Sequence, residues 1–149
     1  MDPLLERGDE LAALESVVEA ARNGRGQLVL VAGEAGIGKT SLVRALRARL
    51  GERAAFLVGV CEPLSVPVPL APLRELVAAE APAAGEDAFA IARSLLGTLR
   101  ARAPAVAVLE DAHWADPATV DVLRLLARRV EDAGAVVIVT YRDDELAVN

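Results

Sequence analysis

Residues 33–40 read G-x-x-x-x-G-K-T, a glycine-containing run that ends in a lysine and a hydroxyl side chain. An apolar segment of strand length, residues 27–32, precedes it. Residues 41–50 follow with leucines at helical spacing, and Gly51 then suits a helix C-cap. A glycine-rich turn between a strand and a helix directs backbone amides at an anion near the helix N-terminus. The pattern and its two flanks therefore predict a phosphate-binding P-loop.

The residue types in this loop suit a nucleoside phosphate. Glycine tolerates the tight backbone turns, Lys39 supplies a mobile positive charge for the outer phosphates, and the Thr40 hydroxyl is a hard oxygen ligand for Mg²⁺. Lys39 is the only lysine among the 16 Lys and Arg residues, and a guanidinium would not replace its compact ammonium well. We predict that a nucleoside phosphate is held by Gly33, Glu34, Ala35, Gly36, Ile37, Gly38, Lys39, Thr40 and Ser41.

Composition excludes several classes of protein. A chain of 149 residues with an apolar share of 54% is sufficient for one domain with a sizeable core. Few aromatic residues and a net charge of −6 argue against direct contact with nucleic acid. The lone cysteine, Cys61, excludes an internal disulfide and fits a small apolar residue at a strand end. No apolar run approaches the ~20 residues that span a bilayer, so we expect a cytoplasmic domain without a membrane partner.

Apolar segments of strand length alternate with segments of helical periodicity. Such alternation predicts an α/β fold with a mostly parallel sheet covered on both faces, which binds its ligands at the carboxyl ends of the strands. Four prolines within residues 63–72 exclude regular structure across most of that segment. The predicted strands are 27–32, 54–60, 105–109 and 135–140; the predicted helices are 10–22 with Asp9 as N-cap, 41–50, one from about residue 72, 87–102, and one from Asp116–Pro117 to about residue 130.

Two adjacent acids, Glu110 and Asp111, follow the third apolar strand. This pattern favours a Walker B element, in which one carboxylate holds Mg²⁺ and the other orients or deprotonates the attacking water. We assign Glu110 to the metal and Asp111 to the water, and the reverse assignment stays open. Adjacent strand residues point to opposite faces, so both can serve only if the backbone bends there. One of the two acids could instead cap the following segment.

Arg142 follows the fourth predicted strand, where it could contact charge that develops on the γ-phosphate. The alternative is a solvated arginine paired with Asp143 or Asp144, since such surface pairs are common and weak. His113 and Trp114 lie where they could support the acids or pack under the loop. His113 has no second histidine or free cysteine nearby at ligand spacing, which argues against a metal role.

Five segments together resemble the nucleotide-binding domain of the STAND class of AAA-related ATPases, as found in large ATP-binding LuxR-type transcriptional regulators. They are residues 4–11, 33–40, 61–65, 109–116 and 140–145. The resemblance covers essentially the whole chain. It implies ATP or ADP with Mg²⁺ as cofactors, and it implies that residues 1–149 are an N-terminal P-loop domain of a larger regulator.

The resemblance also implies a three-layer ASCE arrangement with strand order 2-3-4-1, in which the fourth strand lies between the P-loop strand and the Walker B strand. Arg7 would lie near the adenine, although Glu6 stands where the family usually has glycine. Arg142 matches the sensor-1 arginine, and Glu110 stands where many relatives have Asp. The chain lacks the family's fifth strand, helical lid and DNA-binding helix-turn-helix, so any contact with DNA would come through those missing domains.

Three functions are therefore open. The first is a nucleotide-dependent switch with slow ATP hydrolysis, in which Asp111, Lys39 and Arg142 are catalytic and Thr40 and Glu110 bind the metal. The second is a small-molecule P-loop kinase. The third is a nucleotide-binding fragment without turnover. Without a fifth strand the P-loop strand would form a sheet edge, and exposed edges favour self-association.

Overall fold

Strands and helices alternate along the chain in a computed structural model that describes residues 8–33, 38–63, 70–76 and 87–142. Every strand of the described residues is followed or preceded by a helix, as the apolar periodicity predicts. The elements are α1 (Gly8–Arg22), β1 (Gln27–Gly33), α2 (Lys39–Leu50), β2 (Ala55–Val60), α3 (Ala71–Leu76), α4 (Ala88–Ala101), β3 (Ala105–Glu110), α5 (Pro117–Arg129) and β4 (Ala135–Arg142).

The described strands form one parallel sheet in the order β1-β4-β3-β2. This is the predicted order 2-3-4-1, with β4 between the P-loop strand and the strand that ends in the two acids. In register, Gly33 of β1 lies opposite Arg142 of β4, and Leu109 of β3 lies opposite Val139. In this sheet β1 and β2 are the edges, so one flank of the P-loop strand has no strand partner among the described residues.

Each face of the sheet packs against a separate helical layer, which makes the three-layer architecture. Alternate residues of the two central strands point to opposite faces, and both sets are buried, which explains their continuous apolar sequence. Helices α1 and α2 pack with Val106, Val108, Val136 and Ile138 on one face. Helices α3, α4 and α5 pack with Ala105, Ala107, Leu109, Ala135, Val137 and Val139 on the other face.

Most predicted boundaries lie within two residues of those observed. One cap was predicted wrongly: Asp9 lies inside the first described turn of α1 instead of capping it. β4 is longer than predicted because its pairing with β1 continues through Tyr141 and Arg142. Gly51 is the C-cap of α2, and its N–H donates to the Arg47 carbonyl, as predicted. Most of the proline-rich segment, residues 64–69, lies outside the described residues.

At the amino end of the sheet, backbone groups of neighbouring segments contact each other directly. Gly26, just before β1, donates its N–H to the Glu131 carbonyl at 2.9 Å. A Cβ at Gly26 would lie 2.3 Å from the Val130 carbonyl oxygen and 2.5 Å from that of Ala135, so no side chain fits there. Ala55, the first residue of β2, donates its N–H to the Pro104 carbonyl at 3.0 Å. These contacts fix where the strands begin.

Across the described ranges, the helices are all too short or too polar to cross a bilayer.

Candidate nucleotide-binding site

The carboxyl ends of β1, β3 and β4 meet at one edge of the sheet, as they must when parallel strands are neighbours. β1 ends at Gly33, β3 ends at Glu110, and β4 ends at Arg142. The P-loop residues connect β1 to the first residue of α2, Lys39. Three polar residues singled out in the sequence, Lys39, Glu110 and Arg142, therefore come from three different elements and lie at the same edge.

Lys39 is held at the start of α2 by two backbone carbonyls. Its Nζ donates to the oxygen of Gly33 at 3.0 Å and to that of Tyr141 at 3.0 Å, and the residue is only 5% exposed. Gly38, the residue before it, has φ +75°, a left-handed conformation that favours glycine. The lysine ammonium thus lies between the ends of β1 and β4, where the helix N-terminus also contributes positive potential.

Thr40 and Glu110 lie close together. The Thr40 hydroxyl is near enough to the Glu110 carboxylate to lower its pKa, although the two residues are 70 positions apart in the sequence. Burial raises the pKa of the Glu110 carboxyl, and the nearby Asp111 charge raises it further. The Arg44 charge and the Thr40 hydrogen bond partly offset this rise in pKa. The result is a half-buried carboxylate next to a hydroxyl, facing the start of the P-loop helix.

This pair fits a Mg²⁺ ion that takes its other ligands from phosphates and water. No group of three or more His, Cys, Asp or Glu residues within the described part of the chain could form a dedicated metal cage. Mg²⁺ in nucleotide sites usually uses one or two protein oxygens and completes its octahedron with phosphate oxygens and waters. A threonine hydroxyl and a carboxylate are hard oxygen donors of the required kind.

The backbone turns sharply at Asp111. Its φ of 59° and ψ of 45° place it in the left-handed region, which costs a non-glycine residue about 1–3 kcal/mol. This is the bend that adjacent acids need if both are to serve one site. The Asp111 N–H donates to the Thr140 Oγ1 at 3.1 Å, and Thr140 is only 2% exposed. The conformation is therefore fixed by a side chain on the neighbouring strand.

His113 connects the segment after β3 to the end of β4. Its Nδ1 accepts a hydrogen bond from the Arg142 N–H at 3.2 Å. The ring also lies 5.3 Å from the Trp114 ring, centroid to centroid, at an angle of 50°. The sequence suggested that these two residues support the acids or pack under the loop. The structure places His113 in a supporting position and leaves Trp114 exposed.

Asp116 fixes the far side of the same segment. It is 8% exposed, and its carboxylate accepts from the Thr119 N–H at 3.0 Å and from the Thr119 hydroxyl at 2.6 Å. It also accepts from the Leu70 N–H at 3.4 Å. Leu70 has φ +65°. Asp116 is thus the predicted N-cap of α5, with Pro117 at the first helical position, and it also anchors the end of the proline-rich segment.

Several predicted contact residues lie outside the described residues: Arg7, Glu34, Ala35, Gly36 and Ile37, with Asp143 and Asp144 after β4. Ser41 is described and lies exposed in the first turn of α2. Cys61 is buried in the core, and its N–H donates to the Glu110 carbonyl at 2.9 Å.

Three contributors were missed by sequence reasoning. Arg44 lies one helical turn after Thr40, and this i, i+4 spacing could have identified it. Thr140 is a polar residue within an otherwise apolar strand, which is a recognisable signal. The Tyr141 carbonyl, which accepts from Lys39, leaves no trace in the sequence because any residue has a carbonyl.

A parallel sheet with β4 between β1 and β3, and a P-loop sequence between β1 and α2, defines the fold of a P-loop NTPase. A family model described as the AAA ATPase domain matches residues 3–139. The chain belongs to this family.

Solved structures agree on the fold. The crystal structure of Cdc6p from Pyrobaculum aerophilum has a TM-score of 0.62 and 22% identity, over 95% of this chain and 40% of that one. The structure of C. elegans PCH-2 has a TM-score of 0.57 and 12% identity, over 91% of this chain and 37% of that one. At these identities the similarity concerns the fold alone.

A sequence relative extends the comparison. An uncharacterized protein of Rhizobium meliloti (strain 1021) is 28% identical over an alignment of 190 positions that covers 94% of this chain. The match covers 18% of that relative, so the chain spans less than a fifth of its length.

Proposed function

We propose that this domain binds ATP and ADP with Mg²⁺ and hydrolyses ATP slowly. The observation that carries the proposal is the convergence of Lys39, the Thr40–Glu110 pair, Asp111 and Arg142 at the edge where the P-loop begins. Membership of an ATPase family supports both binding and hydrolysis as the activity. A single site then accounts for every polar motif recognised in the sequence.

Each residue has a distinct role in this proposal. Lys39 exchanges its carbonyl partners for the outer phosphate oxygens, with the backbone amides of residues 33–41 around them. Thr40 and Glu110 would hold Mg²⁺, which neutralises charge on the phosphates when bound. Asp111 orients the attacking water, and Arg142 stabilises charge that develops on the γ-phosphate. Arg7 would contribute near the base.

We also propose that nucleotide state acts as a switch in a larger signalling or transcriptional regulator. The support is the ordered set of motifs that resembles the STAND class, together with a relative much longer than this chain. ATP and ADP would stabilise different arrangements of the domain relative to its neighbours. Contact with DNA would then belong to other domains of the protein.

Calorimetric titration with ATP and with ADP, each with Mg²⁺, tests the binding site. Saturable binding is expected for the wild-type chain. Lys39→Ala should weaken it at least ~100-fold, since hydrogen bonds to charged groups contribute about 1.5–3 kcal/mol each and Lys39 would make more than one. Arg25→Ala, in the loop before β1, is the matched loss of charge and should bind like wild type. Equal affinity in the wild type and Lys39→Ala would contradict the proposal.

Turnover separates hydrolysis from binding alone. Phosphate release should be measurable for the wild type and reduced about 100-fold or more in Asp111→Asn, because a general base contributes about 10²–10⁴-fold. ADP affinity should stay unchanged in that variant. Saturable binding with no phosphate release above background would leave a nucleotide-binding domain without turnover.

We infer further that the domain on its own self-associates through β1. Leu30 on this edge strand is 60% exposed, and a groove of about 360 Å³ runs between α1 and β1, lined in part by Leu14, Val17 and Leu42. An exposed apolar edge can pair with another chain. Size-exclusion chromatography should show a dimer or larger species that Leu30→Lys reduces to monomer. Phe89→Lys, at an exposed apolar residue on α4, is the control, and a sharp wild-type monomer peak would contradict the inference.

A further inference from the structure

The segments after β3 and at the end of β4 stay connected beyond the last ladder pair. The β3–β4 ladder ends at Leu109 and Val139. One residue further on β4, Thr140 accepts a hydrogen bond from the Asp111 N–H at 3.1 Å. Two residues after that, the Arg142 N–H donates to His113 Nδ1 at 3.2 Å. In both cases a side chain on one segment accepts from the backbone of the other, and the two bonds run in opposite directions.

The residue between these two contacts touches a third part of the site. The Tyr141 carbonyl accepts from Lys39 Nζ at 3.0 Å. Three consecutive residues of β4 are therefore connected to the water-orienting acid, to the P-loop lysine and to the segment that follows the acids. The end of β4 is consequently placed by its pairing with β1 on one side and by these side-chain contacts on the side of β3.

The Thr140 hydroxyl would be difficult to replace as the hydrogen-bond acceptor of the Asp111 N–H. It is 2% exposed, so water cannot easily replace its hydroxyl. Without Oγ1 the Asp111 N–H would lose the partner that accompanies its left-handed conformation. Asp111 would then adopt other backbone conformations, and its carboxylate would move relative to the phosphates.

His113 plays the corresponding part for Arg142. Because Nδ1 accepts a hydrogen bond, a neutral ring carries its proton on Nε2. The bond fixes the backbone of Arg142, whose side chain starts from that position. Loss of the acceptor would remove the contact between Arg142 and the segment after β3, while the pairing of β4 with β1 would remain.

We propose that Thr140 and His113 are positioning residues for ATP hydrolysis, Thr140 acting through Asp111 and His113 acting through Arg142. This inference rests on the proposed function. Neither side chain belongs to the phosphate-binding elements, so each should affect the turnover step and leave nucleotide affinity almost unchanged. A misplaced catalytic group can lower a rate by about 100-fold.

The sharpest test replaces Thr140 with residues of matched size. Thr140→Val keeps the volume and the β-branch but removes the acceptor, whereas Thr140→Ser keeps the hydroxyl. We expect kcat to fall about 10- to 100-fold in Thr140→Val, with ADP affinity within about twofold of wild type. Thr140→Ser should retain most of the wild-type kcat.

A second pair of variants replaces His113, which is less buried than Thr140. His113→Phe keeps a ring beside Trp114 but has no acceptor, and His113→Asn places an amide oxygen where Nδ1 lies. We expect kcat to fall about 10-fold in His113→Phe and to recover largely in His113→Asn. Recovery by the conservative variant would not occur if the ring served only for packing.

The outcomes distinguish a failure of the positioning roles from a failure of the proposed function. Wild-type turnover that survives both Thr140→Val and His113→Phe overturns the positioning roles and leaves the proposed function intact. A fall in kcat matched by an equal loss of ADP affinity overturns them as well, because it indicates general damage. A wild-type chain without ATP turnover overturns the proposed hydrolysis, and the positioning roles with it. Selective loss of kcat with rescue by Ser and Asn supports the inference.

Discussion

The two ends of the sheet are held together by different kinds of contact. At the amino end, backbone groups meet directly: Gly26 donates to the Glu131 carbonyl, Ala55 donates to the Pro104 carbonyl, and no space remains for a side chain at Gly26. At the carboxyl end, the contacts between the β3 and β4 segments beyond their last ladder pair use the side chains of Thr140 and His113, and Lys39 joins the ends of β1 and β4.

Because of this difference, substitutions at the two ends of the sheet should have different effects. Backbone contacts at close range have a single geometry, and they fix the spacing of the strands. Side-chain contacts can be exchanged, and under the proposed function Lys39 would leave two carbonyls for phosphate oxygens while the backbone pairing of the strands stays in place. Substitutions at the amino end should therefore change stability, and those at the carboxyl end should change ligand binding or turnover. Three experiments test this contrast in order of decreasing effect.

The largest effect is expected from Gly26→Ala. Its Cβ would lie 2.3 Å from a backbone oxygen that cannot rotate away, so the start of β1 must shift. Overpacking of this kind costs about 1–3 kcal/mol or more, which lowers Tm by roughly 3–12 °C in a domain of this size. Thermal unfolding followed by circular dichroism measures it, and nucleotide affinity at low temperature should be retained.

Gly97→Ala is the matched control for that experiment. Gly97 lies in α4 with no atom within 4 Å of an added Cβ, so alanine should stabilise the helix by about 0.5–1 kcal/mol. If Gly26→Ala melts at the wild-type temperature, the close backbone contact does not fix the amino end.

An intermediate effect is expected from Asp116→Ala. It would show that some substitutions at the carboxyl end of the sheet also change stability. Asp116 lies at the carboxyl side of the sheet, yet its contacts to Thr119 and Leu70 are structural. Loss of a buried cap with a second partner should cost about 2 kcal/mol, or roughly 4–8 °C in Tm. Asp87→Ala removes an exposed cap with one bond to the Ala90 N–H and should cost about 1 kcal/mol. Equal losses would mean that neither the Thr119 hydroxyl nor the Leu70 contact adds to the stability that the cap itself provides.

The smallest effect on stability is expected from Glu110→Gln. Because burial and the Asp111 charge raise the pKa of Glu110 in the folded state, its ionised form is disfavoured there relative to the unfolded chain. The cost is absent at low pH, where both states are protonated, and it develops as the pH rises through the folded-state pKa. Glu110→Gln removes it, so Tm at pH 7 should rise on the order of 1 °C above wild type.

The pH dependence of that variant is the decisive part of the measurement. The gain in Tm should disappear as the pH is lowered to about 4, near the ordinary pKa of a carboxyl. Glu52→Gln, at an exposed carboxyl after α2, should change Tm at neither pH. A Glu110→Gln variant that melts below wild type at pH 7 would show that the Arg44 charge and the Thr40 contact together outweigh burial and repulsion by Asp111.

Sequence reasoning predicted most of the fold because the central strands are strongly patterned. Residues 105–109 and 135–139 are apolar without interruption, which is typical of strands buried on both faces, and Asp116–Pro117 is a strong helix start. It was wrong at Asp9, because a good capping residue is also acceptable in the first turn of a helix. At the candidate site, Lys39, Thr40, Glu110 and Asp111 were recognised from the motifs alone, and the structure places them at one edge of the sheet, where the proposed function assigns them their roles.

The sequence alone determined which residues lie at which strand ends, since periodicity and motif spacing are local properties of the chain. It could not determine the contacts of Thr140, His113 and the Tyr141 carbonyl, or the absence of space at Gly26. These depend on which strands become neighbours and in what register, and Thr140 meets Asp111 only because β4 packs beside β3. Long-range pairing is set by the packing of the whole sheet, and no window of sequence contains it.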